Sequence, residues 1–211
     1  MRRLLVICIL SSLFLVNNLL IAGCNPSQSG QCETISMPLI TSVEAYLKKR
    51  AELPKTPFSG ATLLMHAWLL RQYDKATADK LLILSLHESR VDKSPNGVYK
   101  GYKWRNSEDY MVKQIDQRPY CARSYVIGAA PANGYKINKS KIKIKFRVQT
   151  RYVGSIKSGK YKVFVCTSGA QSCRPVPMGR NSKGIWKARG LSSIAVGCIK
   201  PVTKNSAEDD L

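Results

Sequence analysis

From Pro119 to Pro201 the sequence has no aspartate and no glutamate, and the whole chain has two histidines and 13 acidic residues against 34 basic ones. Acid–base catalysis needs a carboxylate or an imidazole at the reacting atom, so the C-terminal half is without the means for it. His66 lies in "LMHAW", in the most apolar stretch, and reads as a core histidine. His87 adjoins Glu88 in "SLHESR", but neighbours i and i+1 on a helix diverge and form no dyad by spacing alone. Glu88, Asp92, Glu108, Asp109 and Asp116 are the acids available for a glycosidase-like pair; Glu108 and Asp109 open a helix, where the macrodipole accounts for them. Ser168, Ser172 and Arg174 have no base beside them in sequence and read as turn formers. The chain also has no C-x-x-C, which argues against zinc and thioredoxin-like chemistry. We therefore expect no enzyme, no catalytic residue, no metal, no cofactor and no small-molecule substrate.

Also lacking is an apolar run long enough to span a bilayer. The N-terminus instead has Arg2 and Arg3, an apolar run from Leu4 to Val16, Asn17 and Asn18, and a second apolar patch ending in a small residue, the layout of a secretory signal over residues 1–23. Leu20-Ile21-Ala22-Gly23-Cys24 resembles the bacterial lipobox. That resemblance implies cleavage before Cys24 and lipid attachment there, palmitate included, and several acyl chains would anchor the chain stably. By analogy with Gram-negative sorting, Asn25 gives no inner-membrane retention signal, which favours the outer membrane facing the periplasm.

The net charge is +21, which attracts polyanions whatever the fold. In an exported protein these are anionic lipid head groups, envelope polysaccharides or acidic envelope proteins; no nucleic-acid motif is present and no specific nucleic acid is expected. Of seven cysteines, Cys8 would leave with the signal and Cys24 would be acylated. Disulfides are the default outside the cytoplasm, and the remaining five leave one over. Cys32, in a polar stretch, is the expected unpaired one.

Residues 24–36 read as the lipidated cysteine and a polar linker, followed by a helical part over 37–120. Thr41 with Glu44 reads as a capping box, and Val43, Tyr46, Leu47 and Leu53 mark a face ended by Pro54. "GATLLMHAWLLRQY", starting near Thr56-Pro57 or Ser59, is apolar nearly all round and therefore central. "ATADKLLILSL" gives a third helix and "NSEDYMVKQIDQ", capped by Asn106, a fourth. Between these two lies a basic loop with Tyr99, Tyr102 and Trp104 expected to be exposed. Residues 121–203 alternate in short segments, "KIKIKFRV", "KYKVFV", "RPVPM", "GIWKA" and "SSIAVGCIK", predicting a small antiparallel sheet or barrel of about five strands. The class is α+β, one compact unit, with 204–211 an acidic disordered tail.

The blocks "PFSGATLLMHAWLL", "RPYCARSYVIGAAPANGY", "KVFVCTSGAQSCRP" and "GIWKARGLSSIAVGCIKP", in this order, resemble an uncharacterised bacterial domain family of unknown function. The likeness spans about Pro57 to Pro201. It implies a helical half, then a β half with a Ser-Gly-Ala-Asp-Ser-Pro-Arg-Pro turn, and brings no activity. Here the turn is Ser168 to Pro175, with Gln171 in place of the acid and Cys173 in place of proline, and Cys166 is a further departure. Against that pattern, Cys166 and Cys173 suggest a bridge across the turn, adding about 2.5 kcal/mol on the chain-entropy account. Cys121 with Cys198 would then be the second pair. The alternative is that these are buried thiols.

Lys139 to Val148 alternates most regularly. As a strand it sends Lys139, Lys141, Lys143, Lys145 and Arg147 to one side and Ile142, Ile144, Phe146 and Val148 to the core. One account is edge protection against strand pairing; the other is a basic binding face. On the second account the chain is a non-enzymatic, lipid-anchored envelope protein with an assembly or structural role. The alternative function is a periplasmic inhibitor or immunity-type protein that neutralises a secreted toxin or hydrolase.

Overall fold

The computed structural model describes residues 31–202. The signal, Cys24 and the acidic tail lie outside the described residues. The class is α+β. Four helices fall in the expected segments: α1 (Val43–Glu52), α2 (Pro57–Leu70), α3 (Lys75–Ser85) and α4 (Asn106–Gln117). A short α5 (Pro119–Arg123) leads into the β half, and α6 (Ser192–Ala195) follows it.

The central helix is α2. Pro57 occupies its first turn, where the missing N–H costs nothing, and the Thr56 hydroxyl accepts from the Ser59 amide at 3.2 Å. Every α2 residue except Phe58 is buried. Gly60 lets α2 reach the sheet, since a β-carbon there would strike the Trp186 carbonyl oxygen. Arg71, just past α2, is 7% exposed and is held by Asp79 of α3 and by Asp116 of α4, which also pairs with Lys75 at 2.9 Å. This ion cluster ties three helices together.

The main sheet is antiparallel. β1 (Cys32–Met37), β4 (Ile142–Arg147), β6 (Lys160–Val165), β7 (Arg174–Arg180) and β8 (Trp186–Ala188) lie in that order, and β5 (Gly154–Ser155) pairs with β6 beyond the end of β4. A separate hairpin joins β2 (Val91–Lys93) to β3 (Tyr102–Trp104). One core cluster runs from Met37 to Ala195, and a chain starting at Cys24 keeps all of it.

Several expectations are corrected. The stretch from Cys32 to Met37 is a strand, because Ile35 and Met37 alternate inward opposite Ile144 and Ile142; the polar linker must end before it. Cys32 is disulfide-bonded, not unpaired. Helix α1 is capped by Ser42, whose Oγ accepts from the Ala45 amide at 3.1 Å, one residue later than the Thr41 box. Asn106 is already helical, and Arg105 precedes it without a side-chain cap. "SSIAVGCIK" is no strand: Ile194 and Ala195 are consecutive and both buried, and their amides close a helical turn on Leu191.

Candidate basic face

Strand β4 alternates as its sequence predicts. Ile142, Ile144 and Phe146 are fully buried against the helices, and Lys143, Lys145 and Arg147 are half-buried on the opposite side. Lys139 and Lys141 fall short of the strand. The chain turns at Asn138, whose side chain accepts from the Ser140 amide at 2.9 Å and whose carbonyl accepts from Lys141 at 3.1 Å. The Lys139 ammonium sits 3.4 Å over the Tyr73 ring. The five-cation stripe is therefore three cations on the strand with Lys141 exposed at its entrance.

Edge protection does not explain these cations, because β4 is an interior strand. β1 covers one side, pairing Ser36 with Lys143, Thr34 with Lys145 and Cys32 with Arg147. β6 covers the other at Phe146↔Val165 and Arg147↔Phe164. Directly paired residues share a face, so Arg147 is followed across the sheet by Phe164, whose ring lies 5.6 Å from its guanidinium carbon, and along β6 by Lys162 and Lys160. No carboxylate lies on this side of β1, β4, β6, β7 or β8. Neither Lys143, Lys145 and Arg147 nor Lys160 and Lys162 have an ion-pair partner among the described residues.

The face continues into a groove of about 360 Å³ over the β6–β7 pair. Lys160 and Lys162 lie on one strand, Arg189 follows β8, Arg90 comes from the turn after α3, and Tyr152 and Val153 form the opposite lip. Sequence reasoning missed this groove. Arg90 and Arg189 are far apart in the chain, and the bridge of Leu86 and the His87 amide to Ala188 brings their segments together; the lack of acids in the β half was the one legible sign.

The acids offered for catalysis are mostly committed elsewhere. Glu108 is buried and meets Arg90 at 3.3 Å, Asp92 meets Arg105 at 3.1 Å, and Asp109 meets Lys113 at 2.9 Å. His66 is fully buried, its Nδ1 accepts the Ile40 amide at 3.3 Å, and burial lowers its pKa to about 4. His87 Nδ1 accepts from the Ser89 amide at 3.2 Å, and burial lowers its pKa against the opposing pull of Glu88.

Of the aromatic–basic loop, Tyr99 and Tyr102 line a cavity of about 270 Å³ floored by Leu86 and Val91. Trp104 is not exposed as expected: it packs on the core and its Nε1 donates to Asp109 at 3.3 Å. Lys187, at the same cavity, is lowered in pKa by burial and by Arg50, with Glu88 opposing.

The four cysteines of the β half lie in the two suggested pairs, but as thiols in contact and not as the expected disulfides. Cys166 and Cys173 bring their sulfurs to 2.7 Å, longer than the about 2.05 Å of a covalent bond. The contact with Cys121 lowers the Cys198 pKa, with burial opposing and Ser124, Arg174 and Arg118 assisting; the same contact and burial push Cys121 up. Both pairs brace the Ser168 turn. Ser168 donates through its amide to the Ser124 carbonyl at 2.9 Å, and a β-carbon on Gly169 would lie 2.7 Å from Cys198 Sγ.

A family model described as a domain of unknown function, DUF6935, matches residues 39–202. The chain belongs to this family. The matched span covers the helices, the groove and both cysteine pairs, and begins just after β1. No curated protein and no solved structure matches the chain. Among the described residues no helix is long and apolar enough to cross a membrane.

Proposed function

We propose that this chain is an exported, lipid-anchored protein of the cell envelope that works by binding, with the outward side of its sheet laid on anionic lipid head groups. The observation that carries this is the register placing Lys143, Lys145 and Arg147 on the same side of the sheet as Lys160 and Lys162, with no carboxylate on that side. Near an anionic surface each cation contributes on the order of 1 kcal/mol. The anchor at Cys24 rests on the lipobox-like sequence and the outer-membrane location on Asn25 after it, and the family brings no activity to set against a non-enzymatic role.

The test is flotation of the chain from Cys24 onward, made without lipid, with anionic and with neutral vesicles at low and physiological salt. We expect binding that requires anionic lipid and weakens with salt. Lys143, Lys145 and Arg147, all changed to Glu, should weaken it by about a hundredfold or more, since about 1 kcal/mol per lost cation sums to about 3. Equal binding to neutral vesicles, or an unaffected variant, would refute the assignment.

A further inference from the structure

The basic face has a concave place at the β6–β7 pair, and its surroundings say what fits there. Arg90, Lys160, Lys162 and Arg189 line the groove of about 360 Å³, and no acid lines it. Only Arg90 has an ion pair among the described residues, with Glu108 at 3.3 Å, and its Nε is buried without a partner. Cations converging in a concavity repel one another, and an anion seated there relieves that repulsion while taking several charge-assisted hydrogen bonds. Arginine beside lysine suits phosphate oxygens in particular, the planar fork clamping and the ammonium neutralising.

The second observation lies on the lip. The connection from β4 to β6 holds Tyr152 94% exposed and Ile156 50% exposed, with Arg151, Lys157 and Lys160 around them and no acid between residues 142 and 165. Tyr152 has φ 59°, a left-handed backbone unusual for an aromatic residue, and is followed by Gly154 at φ 86°. A large aromatic and an isoleucine standing out of a cationic hairpin match the composition of a membrane–water interface. A free phosphate needs none of this apolar lip, whereas a phosphate attached to acyl chains does.

We infer that the groove of Arg90, Lys160, Lys162 and Arg189 is a seat for the phosphate of one lipid head group, with Tyr152 and Ile156 entering the interface beside it. This rests on the membrane-facing reading of the sheet and adds a discrete site to a diffuse attraction. Three variants of the chain from Cys24 onward separate the two. The groove variant is Lys162→Gln with Arg189→Gln, the lip variant is Tyr152→Ser with Ile156→Ser, and the face variant is Lys143, Lys145 and Arg147 changed to Glu. Each is checked for wild-type melting, and Lys162→Arg serves as a charge-keeping control that should bind normally.

The probes are sn-glycerol 3-phosphate, followed by NMR shifts of the groove residues, and vesicles of phosphatidylglycerol in phosphatidylcholine. We expect glycerol phosphate to shift groove residues in the wild type, the lip variant and the face variant but not in the groove variant. Vesicle binding should fall at least tenfold in the groove and lip variants. Full vesicle binding by the groove variant, with loss in the face variant, overturns the seat and leaves the membrane-facing sheet standing. Glycerol phosphate shifts with no vesicle binding by the wild type overturn the lipid assignment and the membrane-facing sheet together. Vesicle binding without any glycerol phosphate shift at the groove overturns the seat alone.

Discussion

Gly179 of β7 and Arg189 after β8 touch so closely that a β-carbon on the glycine would lie 2.8 Å from Arg189 Cδ and 2.7 Å from His87 Cδ2. The bare backbone at Gly179 lets both side chains lie flat on the sheet and gives Arg189 its place in the groove. Gly179→Ala is expected to push the Arg189 stem away, weakening binding at the groove severalfold, with a stability cost of about 1–3 kcal/mol from overpacking. Binding and melting curves of the variant check this; unchanged values in both would show that Arg189 is not held there.

His66 makes stability depend on pH. Its pKa in the fold, about 4, lies below the ordinary 6.5, so the unfolded chain binds the proton more readily. The contribution of neutral His66 is complete above about pH 6.5 and is lost as the pH falls toward 4, at about 1.4 kcal/mol per unit and about 3 kcal/mol in all. Urea unfolding across that range should show the loss, and His66→Gln should remove this part of the slope. Identical slopes in both proteins would mean that another group governs it.

The Arg71 cluster is a structural joint. Replacing Arg71 by Met leaves Asp79 and Asp116 facing each other without their shared cation, and a loss of about 3 kcal/mol is expected. The midpoint of urea unfolding measures it. A second change, Asp116→Asn, should restore part of the loss by relieving the repulsion between the carboxylates.

The cysteine pairs are placed for oxidation. With oxidised glutathione as acceptor, each pair gives up two hydrogens to form one bridge and two molecules of reduced glutathione. We expect Cys166–Cys173 and Cys121–Cys198, identified by peptide mapping under non-reducing conditions, and a gain of about 2.5 kcal/mol from the shorter loop. Any other pairing among these four would contradict the geometry.

The sequence displayed those parts of the fold that depend on local spacing. Four helices were legible because their apolar positions recur at helical intervals, and β4 because Ile142, Ile144 and Phe146 alternate with cations. Strand β1 was not legible: "CETISM" is short and polar on its outer side, and only pairing with β4 makes it a strand. The same holds for the basic face. Lys143, Lys145 and Arg147 could be read from alternation, but Lys139 was lost to a turn that Asn138 makes locally and to the ring of Tyr73, a long-range contact. Trp104 was misjudged because basic neighbours suggested exposure, while Asp109 on the next helix turns the indole inward. Arg90 and Arg189 carry no signal in the chain, since their proximity follows from the bridge of Leu86 and the His87 amide to Ala188.

Strand β1 also sets a length. With a lipid on Cys24, the anchor is separated from the sheet by the eight peptide steps to Cys32, which even fully extended reach no more than about 29 Å. Cys32 is paired with Arg147, at the C-terminal end of the basic strand. The leash would thus leave the sheet beside its own cations, so that release of the face from the bilayer could carry it only about one domain diameter away. On the proposed anchoring, such a face would rebind the membrane it came from far more readily than it would exchange to another.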